Sequence, residues 1–276
     1  MKQLKVTLID VGWGDSIFLE STSVSGIVSY GLIDSNDTTY NRSSFIFLKK
    51  FFERNLTSQN RPNITFDFIL LSHAHADHGE GLKSLMREFG TNQFWYPKSL
   101  EWSALAELIK FAGRSNKVKH HQSIDDTKIL PPFGDATMEF LWPQYGQIDQ
   151  NNENNNSAVL KLQLENVTMI LAGDAESDVW TAINGKIPAS TRMFKVPHHG
   201  SRNGTLDASG KSPWADSCPA QAVLGISSHK VPFGHPHDDV INYFHAKGMT
   251  FYRTDLQYHL TFATDGTAVT VQYSHM

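Results

Sequence analysis

Within Phe66–Gly81, FDFILLSHAHADHGEG, three imidazoles and a carboxylate fall inside six residues: His73, His75, Asp77 and His78. Imidazole nitrogens and carboxylate oxygens are ligands for divalent ions such as zinc. Their crowding into one short segment, interleaved with small residues, is a metal-binding pattern rather than a set of surface histidines. For such a segment to work, its side chains must converge. Phe66-Asp67-Phe68-Ile69-Leu70-Leu71 is a short apolar run that reads as a buried strand, and where a strand opens into a loop alternate positions project to one side. Leu82, Leu85, Met86 and Phe89 then recur at helical spacing, so a helix pinned to the core follows. Strand and helix clamp the loop from both ends, as a preorganised metal site requires.

Four more segments carry residues able to do chemistry. They are Ile9-Asp10-Val11-Gly12-Trp13-Gly14-Asp15-Ser16, Gly173-Asp174, Lys195-Val196-Pro197-His198-His199-Gly200-Ser201 and Gly234-His235-Pro236. His73-Ala74-His75-Ala76-Asp77-His78 matches the HxHxDH signature of the metallo-β-lactamase superfamily. The whole series, in this order, resembles the soluble hydrolase domain of the ComEC-type competence proteins, and the resemblance spans nearly the whole chain. It implies an α/β fold of the αββα four-layer sandwich type, two mixed sheets face to face with helices outside.

The resemblance also implies a site for two divalent metal ions. His73 and His75 would hold one; Asp77, His78 and His198 the second; Asp174 would bridge both. Two such ions activate a water as nucleophile and stabilise the attacking and leaving oxygens of a displacement. Asp34, after a strand over Ile27–Ile33, supports the ligand loop by hydrogen bonding in this family, a residue type that otherwise commonly caps a strand. Asp15 reads either as an ordinary turn carboxylate or as a group near the metals, the reading the resemblance favours. Trp13 stands where the family usually has Gln. Which of His198 and His199 binds metal is not settled by the resemblance; His198, directly after its strand, is favoured, leaving His199 as a supporting or substrate-contacting ring. Asp77, His199 and His235 are the candidate catalytic side chains. His235 lies on a glycine–proline loop, a setting for contacting phosphate or protonating a leaving group. Many superfamily members take a third histidine for the first metal from the segment before the bridging aspartate. Here that segment is Asn152–Ser157, without histidine, as in the competence-type members, and a site poorer in nitrogen makes manganese a rival to zinc. His229, His237, His245, His259 and His275 read as surface or packing residues.

The elements that must position these groups follow from the remaining pattern. Leu4–Val11 and Ser16–Glu20 read as a hairpin around the Gly12–Asp15 loop. Phe45, Leu48 and Phe52 mark an amphipathic helix, and Asn55–Asn63 a polar loop. Asn92–Tyr96 reads as a strand, and Ser99 as the cap of a helix containing Leu105, Leu108 and Ala112. Thr127–Leu130 and Thr137–Trp142 read as strands, and the asparagine-rich Gln147–Asn156 as a local loop. Ser157–Leu164 and Val167–Leu171 form a hairpin delivering Gly173-Asp174. Val223–Ile226, a helix bearing Val240 and Phe244 and stopped by Gly248, and three strands from Thr250 to Gln272 complete the chain. With no linker and no short repeat, residues 1–276 read as a single hydrolase domain.

Composition bounds the function. At 276 residues with 40% hydrophobic and 19% charged residues, the chain can bury a sizeable core. A single cysteine, Cys218, excludes an internal disulfide and fits a reducing compartment. No signal peptide is visible before Asp10 and no stretch approaches the roughly 20 apolar residues of a membrane span, so a cytoplasmic, stand-alone enzyme is expected. A net charge of −4 is not that of a strongly basic nucleic-acid binder, although bound divalent ions add local positive charge. Lys110, Arg114, Lys117 and Lys119, with His120 and His121, form a basic stretch without a carboxylate: a solvated face, or a rim contacting phosphates beside the site. The leading reading is a two-metal phosphodiesterase or nuclease whose partner is nucleic acid, DNA in particular. The alternatives are a hydrolase of small esters, such as a phosphocholine-type phosphodiester or a lactone, and a metal-binding partner subunit without turnover.

Overall fold

Alternation of apolar side chains in the first strand, β1 (Gln3–Leu8), buries Leu4, Val6 and Leu8 on one face, as a strand half-covered by a second sheet requires. The computed structural model describes residues 1–61, 64–99 and 102–275; the last two positions of the loop expected over Asn55–Asn63 lie outside them. Strands β2 (Ile17–Thr22), β3 (Val28–Ile33), β4 (Phe66–Leu70), β5 (Thr91–Tyr96) and β6 (Val118–Ser123) extend the sheet on one side of β1. On its other side pair β13 (His259–Thr264) and β14 (Val269–Ser274), giving the order β14-β13-β1-β2-β3-β4-β5-β6. The pairings from β14 to β3 are antiparallel, and those from β3 to β6 are parallel. The second sheet runs β12-β11-β10-β9-β8-β7, built from β7 (Thr137–Trp142), β8 (Val159–Leu164), β9 (Val167–Leu171), β10 (Thr191–Lys195), β11 (Val223–Ile226) and β12 (Thr250–Arg253). There β9 to β12 are parallel and β7 to β9 antiparallel.

The inner faces meet in a dry layer in which Val6, Leu19, Phe68, Leu70 and Trp95 pack with Phe140, Leu160, Leu162, Met169 and Met193. The opposite faces carry helices, because parallel strands must be covered on both sides. Ile69 and Leu71 point away from the sandwich onto α1 (Ser43–Asn55), α3 (Leu82–Phe89) and α4 (Ser103–Arg114), with α2 (Ala76–Gly79) lying between β4 and α3. Ile170, Phe194 and Leu224 likewise face α5 (Ser177–Ala182), α7 (Asp238–Ala246) and the buried Trp214. The result is the αββα four-layer sandwich. Two short helices, α6 (Arg202–Thr205) and α8 (Thr254–Gln257), fill loops.

Three local expectations are corrected. Thr127–Leu130 is a turn and irregular chain, not a strand: Asp125 accepts from both the backbone and the hydroxyl of Thr127, Ile129 is 98% exposed, and of the segment's apolar residues only Leu130 packs against the core. Ser99 does not cap α4, which begins after Trp102 with no side-chain cap; its hydroxyl donates to Glu153 instead. The segment over Val118–Ser123, expected only as a basic stretch, is an edge strand.

Candidate metal centre

Two parallel strands end side by side and deliver the first part of the site. β3 ends at Ile33, and Asp34 follows in the left-handed region (φ 59°), which turns its carboxylate back under the neighbouring loop. One oxygen accepts from the Ser72 amide (2.7 Å); the other accepts from the Ser72 hydroxyl (2.6 Å) and lies 2.7 Å from Nδ1 of His78. β4 ends at Leu70 and the chain passes through the buried His73 to His75, whose Nδ1 lies 3.0 Å from Nε2 of His73. The single turn of α2 then carries Asp77 and His78. Glycine is required opposite this loop: at Gly14 (φ 91°) a Cβ would sit 2.3 Å from the Asp77 carbonyl oxygen.

The second sheet supplies the rest. After β9, Gly173 turns with φ 50° and presents Asp174, whose amide is held by the Ser157 hydroxyl at 2.9 Å. After β10, His198, His199 and Gly200 all have positive φ (48°, 54° and 77°). A non-glycine residue in that region is held there only when its surroundings demand it. The turn aims two adjacent imidazoles at one carboxylate.

The geometry converges on Oδ2 of Asp174. It lies 3.9 Å from Nε2 of His73, 3.4 Å from that of His78, 3.8 Å from that of His198 and 3.3 Å from that of His199. Nε2 of His78 and of His199 and Oδ1 of Asp174 are buried with no hydrogen-bond partner, a condition native proteins rarely tolerate without an ion or a function. The far nitrogens are spoken for: His199 Nδ1 donates to the Ser227 carbonyl (3.0 Å) and His78 Nδ1 faces Asp34. This fixes the tautomer and turns each Nε2 lone pair inward, as metal-ligating histidines require. Burial alone would lower His78 and His199, but Asp174, with Asp34 beside His78 and Asp15 beside His199, outweighs it and raises both. Burial pushes His73 down, helped by a positive His78. Asp174 stays well below the usual carboxylate range because the surrounding imidazoles outweigh its burial. The donor set therefore attracts positive charge, and its chemistry fits divalent ions.

Oxygen and nitrogen atoms within mutual ligand distance group His73, His78 and Asp174, and Asp77, His78 and His199. Asp77 and His78 are grouped there with His199, the neighbour of the expected ligand His198, while Nε2 of His198 lies 3.8 Å from the same Asp174 oxygen. The left-handed turn drives the second ring of the pair into the core (1% exposed) and leaves the first at the cavity wall (20% exposed), with Nδ1 3.1 Å from Glu176. His75 and His198 line one cavity of about 270 Å³ together with Trp13, Asp77, Asn154, Asp174, Phe233 and His235. A larger cavity of about 620 Å³, beside Arg42 and Trp102, lies behind α2, away from the imidazole–carboxylate cluster. His235 is lowered to about 4 by burial and then by neighbouring imidazoles, so its ring is neutral at pH 7. Of the two expected roles, contact with phosphate and protonation of a leaving group, a neutral ring fits the contact. Asp15, fully buried, pairs with Lys195 and lies 3.5 Å from Nδ1 of His199. His259 accepts from the Asp10 amide (3.0 Å) and His237 from the first turn of α7 (3.2 Å), outside the cluster.

Sequence reasoning missed three supports. Lys195, fully buried, donates to the Gly173 carbonyl (3.0 Å) and lies 3.8 Å from Asp174; a lone charge inside the apolar run Met193–Val196 was the available signal. Glu153, from the asparagine-rich insert, accepts from the amide of Ala74 (2.9 Å), between His73 and His75, and from Asn156 (2.9 Å). Asn152 and Asn154 hold Glu176 (2.8 and 3.0 Å) against His198. The insert is an ordered brace, and no periodicity announces that. Of the two readings of the basic stretch, a solvated face or a rim beside the site, the geometry favours the solvated face. Lys110 lies 3.5 Å from Glu107, and Lys117, whose carbonyl accepts from Thr91, sits level with the starts of β4 and β5. The ligand loop leaves the other end of β4, about 15–20 Å away at the rise of a strand.

The sequence model of the metallo-beta-lactamase superfamily matches residues 5–211, which contain every residue of the cluster around Asp174. The chain belongs to the metallo-beta-lactamase superfamily. Among curated relatives, this superfamily member is 25% identical over 262 residues to ComE operon protein 3 of Bacillus subtilis (strain 168), covering 91% of this chain and 32% of that protein. The chain thus spans about a third of that relative's length. Solved structures share the fold. A protein described as a metal-dependent hydrolase from Parabacteroides distasonis superposes with a TM-score of 0.53 at 14% identity, over 93% of this chain and 94% of the other. Zinc-bound PqqB from Methylobacterium extorquens gives 0.50 at 12% identity, over 94% and 99%. The superfamily fold implies divalent metal ions. No helix among the described residues is long and apolar enough to cross a membrane.

Proposed function

We propose that this superfamily member is a metal-dependent phosphodiesterase, a single catalytic domain that hydrolyses DNA in the cytoplasm. One observation carries the hydrolase reading: a buried carboxylate oxygen lies 3.3–3.9 Å from four imidazole nitrogens on two sheets. Such a constellation suits two ions, zinc or manganese, with Asp174 between them. His73 and His75 would hold one ion; Asp77, His78 and His199 would hold the other. His198 would stand at the wall beside His75. Bound there, divalent ions acidify water and draw charge from a phosphoryl oxygen. The chain's own residues do the rest. Asp34 and the Ser227 carbonyl keep both inner lone pairs pointed at the centre, Lys195 offsets the negative charge of Asp15 and Asp174, and neutral His235 offers a hydrogen bond to the scissile phosphate. The substrate rests on the resemblance to the competence-type hydrolase.

A nuclease assay on single-stranded and duplex DNA with added manganese or zinc tests the activity. Asp174→Ala should abolish it and remove metal from both positions, and His199→Ala should lose about one metal equivalent while His198→Ala keeps more. No bound divalent metal after reconstitution, or an Asp174→Ala protein with full metal content and activity, refutes the reading.

A further inference from the structure

The cavity beside the imidazole–carboxylate cluster has two unlike halves. Its floor is Asp77, Asp174, His75 and His198; its upper wall is Trp13, Phe233 and His235. The wall is not explained by core packing. Phe233 is 60% exposed beside Val231 at 67%, a large apolar lip next to a charged cluster, and such a lip marks a contact surface more often than a scattered surface residue does. Trp13 fills the angle between floor and lip, its ring centroid 5.2 Å from His199 on one side and 4.3 Å from Phe233 on the other. His235 completes the array, 6.4 Å from Trp13 and 6.3 Å from Phe233. His235 is nearly parallel to both neighbours, at 26° to Trp13 and 23° to Phe233, while Trp13 and Phe233 pack on each other at a tilt of 44°. The exposed ring of Phe233 leaves this cluster an aromatic surface open to a flat partner. A box for a quaternary ammonium needs rings that surround the cation.

We propose that Trp13, Phe233 and His235 form a stacking wall for one unpaired nucleobase adjoining the phosphate under attack, so that the substrate is single-stranded DNA. This rests on the phosphodiesterase reading and narrows it. A base inside a duplex keeps both faces stacked on its neighbours and cannot lie on the wall without first leaving the helix. A cavity of about 270 Å³ holds one nucleotide unit, not a helix. Aromatic platforms beside a backbone track bind single strands with little regard to sequence, because every base has a π-face. The basic stretch at the far end of β4 has no part in it.

The test is titration of the metal-loaded protein with deoxyadenosine monophosphate, 2-deoxyribose 5-phosphate and phosphocholine, each followed by calorimetry. The nucleotide should bind roughly ten- to a hundredfold more tightly than the sugar phosphate, the range that base–aromatic stacking supplies. That ratio should fall toward one in Phe233→Ala, whose exposed ring can be removed without opening the core, and in Trp13→Ala, and should recover partly in Trp13→Phe. Metal content of each variant checks that the cluster beneath is intact. Equal affinities for nucleotide and sugar phosphate overturn this inference alone. Phosphocholine binding more tightly than the nucleotide, with the same dependence on Trp13 and Phe233, overturns it in favour of an ammonium site. If none of the three phosphates binds, the phosphodiesterase reading falls and the stacking wall with it.

Discussion

Lys195→Met keeps the length and most of the bulk of a fully buried side chain but deletes its charge. Nζ donates to the Gly173 carbonyl at 3.0 Å, pairs with Asp15 and lies 3.8 Å from Asp174. At an effective dielectric of 20, the attraction across the Asp174 distance alone is about 4 kcal/mol before desolvation. The net quantity is smaller per contact, and removing one partner of a buried pair typically costs ~3–5 kcal/mol because the other charge is left uncompensated. In a protein of this size each kcal/mol lowers the melting temperature by a few degrees, so the variant should melt roughly 6–15 °C lower. The measurement belongs in chelator, on metal-free protein, where Lys195 is the one lysine or arginine paired with these carboxylates among the described residues. Urea unfolding of Lys195→Met, Asp15→Asn and the double variant should give a coupling of about 2 kcal/mol, the double losing less than the sum. Burial alone would lower the ammonium, but Asp15 and Asp174 outweigh it and raise it above 10.5. A raised folded value means that the contribution is complete below the unfolded value and is lost only as pH climbs through the folded one, so the difference between variant and parent should not change from pH 7 to 9. A loss under about 1 kcal/mol, or additivity of the two variants within about 0.5 kcal/mol, would refute the account of Lys195 as the counter-charge of this site.

Two further expectations follow from the supports around the cluster. Glu153→Ala strands the Ala74 amide between two candidate ligands, and should weaken metal binding about 10- to 100-fold in a chelator competition; unchanged affinity would reduce the insert to a surface loop. Burial pushes the Cys218 thiol up to about 12, so at pH 8 iodoacetamide should label it on the order of 10³-fold more slowly in the native protein than in urea. Labelling at equal rates would mean that the helical layer around Cys218 is open.

The ligand loop was legible because local rules decide it: an apolar run, then HxHxDH, then helical spacing leave one way to bury Leu70 and Leu85 while exposing histidines to a loop. The strands and helices followed from periodicity of the same kind, whereas their arrangement as two sheets with helical covers, and Asp174 as a ligand, came from the family resemblance. Adjacent histidines could not be ranked in that way. His198 and His199 differ by one position, and which ring enters the core depends on consecutive left-handed backbone angles imposed by packing against β11 and the Ser227 carbonyl. Glu153, Glu176 and Lys195 matter through partners 79, 22 and 22 positions away, a separation that carries no periodic trace. Lys117, which the sequence left as part of a solvated face or of a rim beside the site, sits at the far end of the sheet in space. The sequence by itself determined which side chains could bind metal and which elements hold them, since ligand type and amphipathic pattern are local properties. Tertiary structure alone decided which of those side chains share Asp174, which charge offsets it and which aromatic rings overlook it, because each is a distance between strands that only the packing of two sheets sets.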